Sequence, residues 1–273
     1  EAYFIAAKTD PAKHAQWQEP MHKMLDRILE VGRNPNGLFY NLVDPRTGKI
    51  KSDELTDNWG YDYNAFAVVA KLDNAPQYRE AVEFVLSHLM NEKDYKWEGG
   101  GSDGYADSLE GGLNLLNRFP IPEAIQWADY VSQFLLAKPR DTGIIEGWHG
   151  DGNFARTALM YAFWKTQGAW LEPWRNDLRL GAVRAEDGTV YFSAESDWPW
   201  KGKLRFDIPR HAEYLRIPED YPRLNQFPEW FTVAQDARFT TADGEIEGAK
   251  LREGLELSLE PGKPFRLQLK PES

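Results

Sequence analysis

One twelve-residue stretch, EGWHGDGNFART at residues 146–157, combines two acids, a histidine, a tryptophan and an arginine with three glycines. Glu146 follows two isoleucines, so we expect its carboxyl to be half-buried, and burial raises the pKa of a carboxyl group. A carboxyl that stays protonated near neutral pH can act as a general acid. Glu146 is therefore the first candidate for proton transfer, and His149 is the second.

The other side chains of this stretch have different interpretations. Asp151 and Asn153 are good N-cap residues, because a short side-chain oxygen accepts hydrogen bonds from the free N–H groups of a helix start. Trp148 is a candidate for stacking on a ligand. Arg156 lies one turn into an apolar helix, which predicts either a buried ion pair or a group that binds a ligand carboxylate.

Two further stretches place carboxylates beside aromatic side chains: DNWGYDYNAF from residue 57 and GYADSLEGG from residue 104. Aromatic rings stack on the C–H faces of pyranose sugars and carboxylates bond the hydroxyls, so together they suit a sugar pocket. For each aromatic the alternative is core packing, and for the carboxylates of the second stretch it is a favourable place in a first helical turn. The candidates are Asp62, Asp107, Trp59, Tyr61, Tyr63 and Tyr105.

The composition limits the possible partners. The chain has 273 residues and a net charge of −11, which disfavours nucleic acid because such binding needs a cationic face. It has no cysteine, and its five histidines show no H-x-x-x-H or H-E-x-x-H spacing. No apolar run reaches the ~18–20 residues that span a bilayer. We therefore expect no metal, no cofactor, no nucleic acid and no membrane partner.

The elements that position these residues form an internal repeat. Each copy has the end of an apolar helix and a polar turn with a proline, and the first three copies continue into an amphipathic helix. The copies begin at Ala2, Ala65, Leu113 and Tyr161. Gly60, Gly104 and Gly152 mark equivalent starts of the apolar helices. The repeat predicts antiparallel helical hairpins in which a buried helix alternates with a one-faced helix.

Over residues 1–172 this pattern resembles the (α/α) toroid of carbohydrate-active enzymes, in which inner helices are ringed by outer ones. The resemblance implies a mainly α domain whose active site lies in the loops at one end of the inner helices. We therefore expect a glycoside hydrolase that cleaves an oligosaccharide or polysaccharide with two carboxylates. Glu146 would be the acid and Asp107 or Asp62 its partner. The sugar would be held by Trp59, Tyr105 and Trp148.

Two alternatives follow from the same residues. A polysaccharide lyase acting on a uronate-containing glycan by β-elimination would use His149 and Tyr105 on the C5 proton and Arg156 on the carboxylate. A non-catalytic glycan-binding module would use the aromatic side chains alone. Unsaturated product, detected by its absorbance, distinguishes a lyase from a hydrolase.

Residues 173–273 predict an all-β, sandwich-like domain. RLGAVRAEDGTVYFSA indicates a strand, an Asp-Gly turn and a second strand. Further strands are expected at GKLRFDI, EWFTVAQDARFT, GAKLRE, LELSLE and PFRLQLK. The proline-rich span 207–230 is expected to be irregular, and its Arg210 and His211 are candidates to reach the mouth of the toroid.

The first apolar helix starts in the middle of the repeat, at Glu1. About seven helices can be identified, whereas a closed toroid of six hairpins needs twelve. We therefore expect a longer polypeptide whose N-terminal part supplies the other hairpins and some residues of the active site. The cellular location stays open, with export to the periplasm or the exterior favoured.

Overall fold

A computed structural model describes residues 2–217 and 227–272. A helical part precedes a part made of antiparallel sheets, as the sequence predicts. By the contacts within the chain, the described residues divide into two compact units, residues 2–159 and residues 160–217 with 227–272.

The helical hairpins of the sequence repeat are present as pairs of consecutive helices. The helices are α1 (Ala2–Thr9), α2 (Pro11–Val31), α3 (Trp59–Leu72), α4 (Pro76–His88), α5 (Ser102–Leu116), α6 (Pro122–Leu136) and α7 (Gly150–Lys165). Prolines stand in the first turns of α2, α4 and α6, where the missing N–H group costs nothing. The glycines of the repeat lie within the first three residues of α3, α5 and α7.

Strands account for most of the regular structure in the second unit. They are β3 (Trp170–Glu172), β4 (Leu178–Arg184), β5 (Val190–Ser196), β6 (Trp200–Arg205), β7 (Arg238–Thr241), β8 (Gly244–Glu247), β9 (Leu255–Leu259) and β10 (Phe265–Pro271). One antiparallel sheet has the order β4-β5-β10-β7-β8 and the other has the order β3-β6-β9. Side chains from both sheets form a single hydrophobic core. The Asp187-Gly188 pair lies in the turn between β4 and β5, with Gly188 at φ +82°.

Three local predictions need correction. GAKLRE is not a strand: it contains the short helix α9 (Gly248–Arg252), which buries Leu251 in the core. The segment before α3 is not only a loop, since it contains the hairpin of β1 (Tyr40–Val43) and β2 (Ile50–Leu55). The span 207–230 includes the four-residue helix α8 (Arg210–Glu213). Residues 218–226 of that span lie outside the described residues.

Helix α5 is the centre of the helical unit, and every one of its residues except Asp107 is buried. Helix α3 crosses it at two glycines whose backbones touch. A Cβ placed on Gly111 would lie 2.7 Å from the Cα of Gly60, and one placed on Gly60 would lie 2.5 Å from the Cα of Gly111. Next to this crossing, the indole N–H of Trp59 donates to the hydroxyl of Ser108 at 2.8 Å. The two helix backbones are therefore closer at this crossing than any residue with a Cβ at position 60 or 111 would permit.

A buried carboxylate connects the first helical hairpin to the second. The Tyr3 hydroxyl donates to Asp73 at 2.6 Å, and the Nε2 atoms of His22 and His14 lie 2.6 and 3.0 Å from its oxygens. Burial by itself would raise the pKa of Asp73, but the hydrogen bonds from Tyr3 and His22 and the two imidazoles hold it below its usual value. Asp73 ends α3, so this contact anchors α1 and α2 on the α3–α4 turn.

We expect Gly60→Ala and Gly111→Ala each to lower the free energy of unfolding by about 3 kcal/mol, the upper part of the range for overpacking. The added methyl group meets backbone atoms, which cannot move aside as a side chain can. Urea denaturation followed by circular dichroism measures the change.

Gly152→Ala is the matched control, because Gly152 is also near a helix start but a Cβ there meets no atom within 4 Å. This variant should keep or slightly raise stability, since alanine favours a helix over glycine. Equal effects at Gly152 and Gly111 would contradict the close-contact interpretation.

Candidate functional site

The starts of α3 and α5 bring five carboxyl groups together in the helical unit. We call them the acidic cluster: Asp57, Glu98, Asp103, Asp107 and Glu110. The charges of Asp57, Asp103 and Asp107 all act on Glu98, and the charge of Asp107 also acts on Asp57. Only Asp107 was among the residues that sequence reasoning selected as catalytic. Carboxylates repel one another, so the way each charge is compensated decides the chemistry of the cluster.

Asp57 and Glu98 form a hydrogen-bonded pair of carboxyl groups. Asp57 is buried just before α3 and accepts a hydrogen bond from the Asn58 amide at 2.7 Å. Glu98 comes from a 3-10 turn, Trp97–Gly100, and holds the left-handed backbone angles φ 45°, ψ 46°. Its side chain runs past Gly104, where a Cβ would lie 2.8 Å from the Glu98 Cβ. A strained backbone at a non-glycine residue is typical of functional sites.

This pair holds a proton more tightly than isolated carboxyls do. Burial raises the pKa of Glu98, and the charge of Asp57 raises it further. Burial and the charge of Asp107 raise the pKa of Asp57, while its hydrogen bond with Glu98 lowers it. The two carboxyls are coupled, so the proton that they hold to higher pH belongs to the pair and not to one member. Glu98 is exposed to solvent, so a ligand can reach this proton.

Arg156 compensates the other side of the cluster. Its guanidinium lies 3.1 Å from Asp107 and forms an ion pair with the buried Glu110. The Tyr61 hydroxyl donates to Asp107 at 3.1 Å, and burial together with the charges of Glu110 and Asp107 raises the pKa of Tyr61. Of the two interpretations of Arg156, the structure shows the ion pair.

Asp103 is compensated more weakly. The Asn153 amide donates to one of its oxygens at 2.5 Å, and Nε2 of His149 lies 3.8 Å from the other. The His149 ring itself is largely exposed and contacts the Trp148 ring edge to face. Asp103 lies in the first turn of α5, where the helix dipole favours a negative charge. It is a carboxylate that sequence reasoning missed.

The prediction that burial raises the pKa of Glu146 is wrong. Its carboxylate accepts the backbone N–H of Ser102 at 2.8 Å and the indole N–H of Trp148 at 2.7 Å. These bonds, above all that from Ser102, lower the pKa of Glu146. Glu146 thus caps α5 from a distant loop.

The predicted cap roles of Asp151 and Asn153 are wrong as well. Asp151 lies inside α7 and accepts the backbone N–H groups of residues 145–147 in the preceding loop, which lower its pKa, and the Asn153 amide donates to Asp103.

Three of the aromatic candidates lie in the interior. Trp59 and Tyr63 are fully buried, and the Tyr63 hydroxyl donates to the carbonyl of Gly37 at 2.6 Å. Tyr105 is also buried and stacks on Phe134 with ring centroids 5.7 Å apart. These rings support the fold around the cluster and offer no free face to a ligand. Trp148 differs, because 43% of its surface is exposed.

Asp62 belongs to another place in the same unit. It lines a cavity of about 760 Å³ between α2, the β1–β2 hairpin and α3, with mostly apolar walls. The side chain is solvent-exposed by surface area, yet the protein around it removes enough water to raise its pKa to about 6. Tyr61 also lines this cavity, while its hydroxyl reaches Asp107 in the acidic cluster, so Tyr61 lies between the two places.

The two candidates from the β part lie in the second unit. Arg210 forms a forked ion pair with Asp207 at 3.0–3.1 Å. The ring of His211 lies 2.5 Å from Glu229, which also accepts the His211 backbone N–H at 2.8 Å. Both side chains hold the segment around α8 in place.

Within residues 2–217 and 227–272, no group of three or more His, Asp or Glu side chains is arranged to hold a metal ion. None of the described helices combines the length and apolar character that crossing a membrane requires. Comparisons with protein families, with curated proteins and with solved structures give no match to this chain. The site therefore has to be interpreted from its own geometry.

The environment of Asp62 predicts a pH-dependent stability. Because the folded-state pKa is raised to about 6 from 3.8, ionisation of Asp62 opposes folding, and this loss of stability develops as pH rises from about 4 to above 6. Asp62→Asn should therefore raise the free energy of unfolding at pH 7.5 and leave it unchanged at pH 4. Urea denaturation at both values measures it.

Asp53→Asn serves as the control, since Asp53 is an exposed aspartate on β2. It should show no comparable difference between the two pH values. A stabilisation by Asp62→Asn that persists at pH 4 would contradict the desolvation of its charge.

Proposed function

We propose that this protein is a glycoside hydrolase whose general acid is Glu98. The observation that carries the proposal is the hydrogen-bonded Asp57–Glu98 pair, in which both pKa values are raised and Glu98 is the solvent-exposed member, beside other carboxylates. Glycosidic cleavage needs this combination, because one carboxyl protonates the leaving oxygen while another carboxylate acts on the opposite side of the sugar. The hydrogen bonds of Glu146 favour its ionised form. We therefore assign the role of general acid to Glu98 and not to Glu146.

Asp103 is the best candidate for the second carboxylate. The Arg156 guanidinium and the Tyr61 hydroxyl both contact Asp107. Among the described residues, Asp103 has only the neutral Asn153 amide as a hydrogen-bond partner, and the His149 imidazole lies 3.8 Å away. Asp103 thus keeps more of its negative charge for an oxocarbenium-like transition state, or for activation of water. Asp107 and Glu110 position Arg156 and shape the wall of the site.

Trp148 supplies a surface for the sugar ring. Its indole N–H is held by Glu146, which is itself bound to the start of α5. An exposed ring that is fixed through a hydrogen bond loses little entropy when a ligand stacks on it. The proposed substrate is an oligosaccharide or polysaccharide, as the sequence predicted.

We also propose that the helical unit belongs to an (α/α) toroid. The alternation of the deeply buried α5 with amphipathic partners supports this, as do the carboxylates at the starts of α3 and α5, equivalent ends of two hairpins. The lyase alternative has less support, because the guanidinium of Arg156, which would bind the uronate, is already engaged by Asp107 and Glu110.

Glu98→Gln should lower turnover of natural oligosaccharides by about 100-fold or more, the range for loss of a general acid. Glycosides with a strongly acidic phenol as leaving group need no protonation, so this variant should keep nearly the normal kcat/KM on them, since that ratio reports the step up to bond cleavage. Asp103→Asn should slow both substrates. Release of reducing sugar and of phenol from a panel of glycosides measures these rates.

Glu146→Gln is the discriminating control for kcat: its amide oxygen still accepts the Ser102 N–H, while loss of the hydrogen bond to the Trp148 indole should raise KM and leave kcat nearly normal. Glu54→Gln, on the exposed face of β2, controls for the change of charge alone. Full activity of Glu98→Gln on every substrate would refute its assignment. Formation of unsaturated product would establish a lyase in its place.

Asp57→Asn should shift the pH profile in a defined direction. Because the Asp57 charge contributes to the raised pKa of Glu98, its removal lowers that pKa and Glu98 loses its proton at a lower pH. The alkaline limb of kcat/KM should therefore move to lower pH. An unchanged or higher alkaline limb would contradict the coupling of the two carboxyls.

A further inference from the structure

Two tryptophans in the second unit are unusually exposed. Trp174 lies between β3 and β4, and Trp198 lies between β5 and β6. Their exposed fractions are 63% and 69%. Single exposed apolar side chains are common, but large aromatic rings gathered at one place mark binding surfaces.

The two loops that carry these rings are joined by one ion pair. Arg175 bonds Asp177 through two N–H groups at 2.5 and 2.9 Å. The same guanidinium donates to the carbonyl of Trp198 at 2.8 Å, and Asp177 accepts the backbone N–H groups of Asp197 and Trp198 at 3.1 Å each. Trp198 is thus tied at both its N–H and its carbonyl to the segment that follows Trp174.

A second link runs in the opposite direction. The buried Trp200 donates its indole N–H to the carbonyl of Pro173 at 3.0 Å. The residue before Trp174 is therefore tied to the strand that follows Trp198. Both exposed rings stand on backbone that is already ordered, and ordering in advance lowers the entropy lost when a ligand binds.

The charges around the two rings are already paired. Arg175 is matched by Asp177, and Arg179 lies 2.7 Å from Asp197 and 3.6 Å from Glu195. A polyanion or polycation gains little from such a surface. A neutral ligand with an apolar face and many hydroxyl groups can use both the indole rings and the charged side chains. The indoles stack on its C–H groups, and the charged side chains form hydrogen bonds with its hydroxyls.

We propose that Trp174 and Trp198 form a carbohydrate-binding platform that holds a neutral pyranose chain in the second unit. The platform adds a non-catalytic binding site to the proposed hydrolase and does not depend on it, because binding here uses none of the acidic cluster. Its role would be to keep a polymeric substrate attached to the protein between cleavage events.

The test uses the full chain labelled with 5-fluorotryptophan and carrying Glu98→Gln to prevent turnover. Cellohexaose, xylohexaose, mannohexaose, laminarihexaose and chitohexaose are titrated while the fluorine resonances are followed, with Trp174 and Trp198 assigned by substitution. We expect at least one hexasaccharide to shift both resonances. Trp174→Ala and Trp198→Ala should each lower the association constant of this site by about tenfold, and the double variant should abolish it.

Two kinds of control separate stacking from other effects. The conservative changes Trp174→Tyr and Trp198→Tyr should retain most of the affinity, because a flat aromatic ring remains at each position. Tyr214→Ala removes an equally exposed aromatic, 70% accessible, from the same unit and should leave binding unchanged.

The platform is refuted if no hexasaccharide shifts the two resonances, or if the double alanine variant binds sugar as the parent does. It is also refuted if the double variant lowers self-association in sedimentation velocity without affecting sugar binding, since the rings then cover a second copy of the chain. Failure of the proposed hydrolase is seen separately, as full activity of Glu98→Gln alone.

Discussion

Helices α3 and α5 touch through the backbones of Gly60 and Gly111, and the acidic cluster depends on this contact. A side chain at either position would separate the helices by the width of a methyl group or more. The close approach allows the Tyr61 hydroxyl to reach Asp107 and places Asp57 within the field of that same carboxylate. The buried bond between Trp59 and Ser108 holds the crossing on its neighbouring side.

The carboxylates that this crossing gathers are compensated unequally. Around Asp107 and Glu110 the compensation is a guanidinium, which fixes the charges and makes that half of the cluster structural. Around Glu98 and Asp57 no cation among the described residues does this, and burial and the charges of neighbouring carboxylates raise both pKa values. The two halves of the cluster therefore differ in how readily they can gain or lose a proton, which is the difference on which the proposed function rests.

The second unit uses paired charges for a different purpose. The forked ion pair of Arg175 and Asp177 joins the β3–β4 loop to the β5–β6 loop, and the indoles of Trp174 and Trp198 on these loops are exposed. The hydrogen bonds of Arg175 lower the pKa of Asp177 to about 2, so the carboxylate stays ionised over the pH range in which proteins are usually folded. Rigid backbone and exposed aromatic surface are thereby combined in a unit whose sheets already share a complete core.

The sequence by itself determined the helical hairpins, the hairpin of β4 and β5, and the change to antiparallel sheets, because these follow from periodicity and local turn chemistry. It also located the stretches that hold most of the site. Only the tertiary structure decided which carboxyl holds a proton more tightly. The pKa of Glu146 is lowered because Ser102, 44 residues away, donates to it, whereas burial and the charge of Asp57 raise the pKa of Glu98.

The helix α9 was likewise missed, since a single buried leucine in a short segment suits a strand equally well. A pKa depends on the field of every neighbour in space, and a linear pattern of residues contains no record of those long-range neighbours.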